Sequence, residues 1–110
     1  MSLNFTHKRG DTFYAVPFEI KKDNVAIDLS DTVIKMQVRQ NYGGAIVLNF
    51  DSTDDVGITI TDAVAGKFKI DEQIIDIPAY NYIYDIQFNF DGIIRTYVSG
   101  NFLITNDVTR

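Results

Sequence analysis

The side chains able to carry chemistry are few and scattered. His7 is the only histidine, so no histidine pair can hold a metal. It lies in a polar N-terminal stretch, away from any serine in a recognisable nucleophile setting. The chain has no cysteine, which excludes a disulfide framework, thiolate catalysis and thiolate metal sites. Asp51, Asp54 and Asp55 share a loop with Ser52 and Thr53, an oxygen-rich set of the kind that can hold calcium. Their spacing departs from the twelve-residue calcium loop with its bidentate glutamate. Asp and Ser also favour turns through local hydrogen bonds to the backbone, so this loop is read first as a turn, with the three carboxylates as a weak metal candidate. Arg9-Gly10-Asp11 spells the tripeptide that integrins recognise, and Asn4-Phe5-Thr6 is a formal N-glycosylation acceptor. The first is better explained as the bend feeding a strand, and the second is silent without a secretory signal. No nucleophile–base pair, metal-ligand set or phosphate loop emerges, so no enzyme activity, catalytic residue or cofactor is expected.

The elements that would position any site are strands. Between Tyr80 and Phe90, Tyr82, Tyr84, Ile86, Phe88 and Phe90 alternate with Ile83, Asp85, Gln87 and Asn89, which places one large apolar set on one sheet face. Asp91-Gly92 follows, then Ile93 to Val98. Asp-Gly between two such runs signals a two-residue hairpin, because both central residues of a type I′ turn need positive φ. Gly100 is expected to bend or bulge the second strand. Thr12 to Ile20 also alternates, with Tyr14, Val16, Phe18 and Ile20 inward and Phe13, Ala15, Pro17 and Glu19 outward. Pro17 cannot donate to a ladder, so this strand belongs at an edge or carries a bulge. Ile34, Met36 and Val38 form the inward set of a strand from Thr32 to Arg39. Shorter strands are expected over residues 25–27, 45–50, 58–60 and 67–70. Residues 71–79 read as irregular, ending at Pro78.

This gives about seven to nine short strands, with turn signals every ~8–12 residues and no amphipathic helix of useful length. The expected fold is a single all-β domain over 1–110. It is read as an immunoglobulin-like antiparallel β-sandwich without a disulfide, with residues 1–10 and 105–110 as loose termini. Hydrophobic residues are 45% of the 110-residue chain, enough for a globular core and against wholesale disorder. A net charge of −5 makes the domain a poor nucleic-acid binder, because phosphate contacts dominate that affinity. The apolar runs are too short for a spanning helix, so no membrane insertion is expected. Phe13, Ile83 and Ile94 are apolar at an outward phase. Exposed together, they would mark an interface. Ile83 and Ile94 flank the Asp91-Gly92 turn at positions that could meet across strands. Lys67 and Lys69 would protect the edge of their own strand.

Several phrases occur in a suggestive order: Lys8-Arg9-Gly10-Asp11-Thr12, Val25-Ala26-Ile27-Asp28-Leu29-Ser30, and Lys35-Met36-Gln37-Val38-Arg39. Ile58-Thr59-Ile60-Thr61-Asp62 with Gly66-Lys67-Phe68 follows. Ile77-Pro78 then leads to Tyr84-Asp85-Ile86-Gln87, and Thr96 to Phe102 is followed by Asp107-Val108-Thr109. In these phrases the chain resembles small β-sandwich proteins of bacteriophage and prophage structural-gene clusters. It is similar in pattern to the N-terminal domain of phage upper baseplate proteins. The resemblance implies a non-enzymatic structural or adaptor domain, tail- or baseplate-associated, acting by contact with other virion proteins or with itself. It implies a place in the virion, or in the bacterial cytoplasm before assembly, and carries over no catalytic residues. The alternative is a β-sandwich module that binds carbohydrate or a cell-surface ligand.

Overall fold

A computed structural model describes residues 2–54 and 56–106. The fold is all-β. Its strands are β1 (Phe5–Lys8), β2 (Thr12–Phe13), β3 (Val16–Glu19), β4 (Lys21–Lys22), β5 (Val25–Ala26), β6 (Thr32–Arg39) and β7 (Ile46–Asp51). After a 3-10 turn at Ser52–Asp54 come β8 (Ile58–Asp62), β9 (Lys67–Ile70), β10 (Gln73–Ile74), β11 (Tyr80–Phe90) and β12 (Ile93–Thr105). Among the described residues these twelve exceed the seven to nine expected because the expected strand over 12–20 is split into β2 and β3, and because β1, β4 and β10 lie in stretches read as loose, turn or irregular.

The Asp91-Gly92 turn forms as its residues require. Asp91 has φ 52° and Gly92 φ 95°, Phe90 pairs with Ile93, and the Asn89 side chain accepts a hydrogen bond from the Gly92 amide at 2.7 Å. Two-residue closure fixes the register, and with it which side chains face inward. Tyr82, Tyr84, Ile86 and Phe88 are buried, and their neighbours Ile83, Asp85 and Gln87 lie on the opposite face. β6 pairs on the other side, setting Met36 beside Ile86 and Ile34 beside Phe88. The resulting five-stranded sheet has the order β1-β12-β11-β6-β7.

A three-stranded sheet, β3-β9-β8, supplies the other side of the core. Phe68 of β9 stacks on Phe18 of β3 at 4.9 Å and meets Phe88 of β11 edge-on at 5.4 Å. Each fully buried side chain of this size contributes about 1.5–3 kcal/mol of transfer free energy. Pro17 sits on β3, an edge strand, as expected. Lys67 and Lys69 do not guard an edge, because β9 is the central strand of its sheet.

Three expectations about the N-terminal half are corrected. Residues 5–8 are not loose: β1 runs parallel to β12, pairing Phe5 with Phe102 and Lys8 with Thr105. The large sheet is therefore mixed rather than purely antiparallel, and Thr105 is also tied into it. Phe13 is buried, not an outward interface residue. The alternation of residues 12–20 breaks at Tyr14-Ala15, between β2 and β3, so Phe13 and Phe18 both face inward while Tyr14 is 74% exposed. The physical reason is an aromatic cluster, with Phe13 5.8 Å from Phe5 and 5.6 Å from Phe102. Packing of those rings outweighs a continued alternation.

Gly100 is not the bulge. The irregularity in the hairpin lies where Gln87 faces Thr96 and Ile86 faces Val98, which leaves Tyr97 as the extra residue. Gly100 instead permits a close approach: a Cβ there would stand 2.2 Å from the Leu3 carbonyl oxygen. That carbonyl also accepts a hydrogen bond from the Tyr84 hydroxyl. Gly100→Ala should therefore push the N-terminal segment away from β12. We expect destabilisation of ~1–3 kcal/mol in urea unfolding, with faster amide exchange across residues 3–8. Wild-type stability and exchange would contradict this account.

Candidate functional site

The two bulges of the large sheet shape its outer face. One is at Tyr97 on β12. The other lies between β6 and β7, where the register slips as Val38 faces Leu48 but Arg39 faces Ile46. A bulge bends its strand and increases the local twist. Between the two bulges lies a cleft of about 610 Å³. Its floor comes from outward positions of the three central strands. Asp85 of β11 pairs with Gln37 of β6 and Ser99 of β12, and Ile83 pairs with Arg39 and Asn101. The β6–β7 turn forms one wall and Ser2 contributes to the lining.

Arg39 holds that wall. Its guanidinium donates to the Gly44 carbonyl oxygen and, at 3.1 Å, to the Gln37 side-chain oxygen. The turn is closed by the Gly44 amide donating to the Asn41 carbonyl at 3.0 Å. Tyr42, at its tip, is 92% exposed. Asp85 is half-buried in the floor. Burial pushes its carboxyl above the usual carboxylate range, and the Arg39 charge opposes that rise. Beneath the floor, burial pushes the Tyr84 hydroxyl up to about 12, so it remains a neutral donor to Leu3.

The residues singled out from sequence are dispersed. Ile83 lines the cleft, whereas Ile94 pairs with Asn89 near the hairpin tip and is 50% exposed. The two do not meet: they sit six positions apart along the hairpin, about 20 Å at strand rise. Asp51 is engaged locally, accepting from the Thr53 amide at 2.8 Å, with Lys35 3.9 Å away. Asp55 lies outside the described residues. Among the described residues, no group of three or more His, Cys, Asp or Glu is placed to hold a metal. His7 Nε2 lies 2.9 Å from the Asp11 carbonyl oxygen and its ring packs edge-on against Phe13. Arg9 of the Arg-Gly-Asp tripeptide is ion-paired with Asp76 at 2.8 Å. The Asn4 side chain accepts from the Asn101 amide at 3.0 Å, a structural use of the formal glycosylation site. Among the described residues, no helix is long and apolar enough to cross a membrane.

The cleft itself had no signal in the sequence as a site. Gln37, Asp85, Ser99 and Asn101 read as ordinary outward residues, and only the sheet pairing brings them together. No protein-family model matches this chain, and no curated protein matches it either.

The raised Asp85 gives a signed pH prediction. Its protonated form is favoured in the folded state, so folding takes up a proton. Stability therefore falls as pH rises from the ordinary Asp range, near 3.9, through the higher folded-state value. Asp85→Asn should melt at or above the wild type at pH 7. The difference should shrink to nothing below about pH 3, where Asp85 is neutral in both states. A difference that does not change with pH, measured by thermal scans, would contradict the assignment.

Proposed function

We propose that the chain is an immunoglobulin-like β-sandwich serving as a non-enzymatic structural or adaptor domain of a phage or prophage particle, bound to other virion proteins through the tip of the β11–β12 hairpin. One observation carries the contact. β1 covers β12 only over Phe102–Thr105, with a further bridge from Ser2 to Ser99. Among the described residues, no strand pairs with that edge of β12 over Ile93–Val98. Natural edge strands are usually shielded by charge, proline or a bulge. Here Arg95 and the Tyr97 bulge lie further along the stretch, while its first two residues, Ile93 and Ile94, are 56% and 50% exposed, one toward each face of the hairpin. Such an edge suits an extended partner segment, with main-chain hydrogen bonds supplying affinity and the two isoleucines supplying apolar contact. The phage setting is supported by the ordered phrases from Lys8 to Thr109.

A tagged chain expressed in a strain that produces the particle should co-purify with particles through a density gradient. The Ile93→Lys, Ile94→Lys double variant should lose at least about tenfold of that incorporation while keeping its melting temperature, since both side chains lie on the surface. A tag that stays in the soluble host fraction, or a double variant incorporated like the wild type, would overturn the proposal.

A further inference from the structure

We infer that the outer-face cleft is a binding site for a neutral oligosaccharide, a site separate from the hairpin tip. Its volume falls within the ~300–1,000 Å³ range of sites that hold small ligands. Its chemistry points to sugars. Gln87 and Asn101 present planar amides with donors and an acceptor, Gln37 presents the donors of an amide whose oxygen already accepts from Arg39, and Ser99 presents a hydroxyl that does both. A sugar ring carries adjacent hydroxyls that also donate and accept, at a spacing that a planar amide or carboxylate can span with two hydrogen bonds.

Charge narrows the class. The cleft holds one cation, Arg39, and one carboxylate, Asp85, so its lining is balanced. Arg39 gives two of its N–H groups to Gly44 and Gln37, and Asp85 beside it in the lining offsets its charge, which disfavours a phosphate or a uronate. The chain's net charge of −5 further disfavours polyanions. A protein partner is a poor fit for the same floor, because the centre of a protein interface is apolar and depleted of charged groups. Two apolar groups of the lining are placed as a sugar needs them. Ile83 lies in the floor, and Tyr42 stands at the rim where its ring can cover the C–H face of a pyranose. Arg39 fixes the turn that carries Tyr42, so little ordering remains to be done on binding, and that favours affinity.

The test is a screen of the intact chain on an array carrying neutral hexose and N-acetylhexosamine oligosaccharides beside sialylated and uronate-bearing ones. Isothermal titration with the best neutral oligosaccharide follows. We expect saturable binding to a neutral oligosaccharide, with backbone amide shifts in NMR at residues 37, 83–87 and 99–101. Tyr42→Ala and Gln37→Ala should each weaken it about tenfold with unchanged melting temperature. Ile94→Lys should leave it unaltered, which separates this site from the hairpin contact. No binding to any neutral oligosaccharide, preference for the acidic ones, or wild-type affinity in both cleft variants would overturn the inference.

Discussion

The two-residue turn at Asp91-Gly92 is the constraint on which the rest of the sheet depends. With Phe90 facing Ile93, every later pairing in the hairpin is counted from that point. A slip of one residue would exchange the inner and outer faces of β11 and put Asp85 and Gln87 in the core. The two positive φ angles at the turn forbid that slip cheaply, since only a short loop with this backbone closes a two-residue hairpin with the right twist. β6 then adds to β11, and β1 to the far end of β12, both in a register the hairpin has already set.

The turn alone would not give the observed core. Counting strictly from Ile93, the inward residues of β12 would be Ile93, Arg95, Tyr97 and then every second residue to Thr105. The bulge at Tyr97 changes that parity, so that Val98, Phe102 and Ile104 are buried. Tyr97 stays half-buried, 5.2 Å from the Phe88 ring. The same parity change leaves Thr96 and Ser99, three positions apart, both on the outer face at the cleft. One extra residue thus corrects the core on one side of the sheet and helps shape a concave polar surface on the other.

The N-terminal segment shows how tertiary packing overrides local pattern. Its alternation predicted Phe13 outward and Tyr14 inward, and the reverse holds. Phe5, Phe13, Tyr84 and Phe102 come from four strands and pack ring against ring, a cluster that forms only with Phe13 turned inward. Gly100 takes part through what it lacks, since the backbone of Leu3 passes where a side chain would be. No window of sequence around Gly100 contains that reason, because Leu3 is nearly the whole chain away.

Local pattern was enough for an all-β chain, the hairpin and its turn, the inward sets of β6 and β11, and Pro17 on an edge. Those follow from side-chain periodicity and from φ preferences, which act within a few residues. The tertiary structure alone decided the parallel seat of β1, the burial of Phe13, the place of the hairpin bulge and the cleft between Gln37, Asp85 and Asn101. Each of these joins residues far apart in the chain. Their energies arise only when strands meet, so no local pattern could record them.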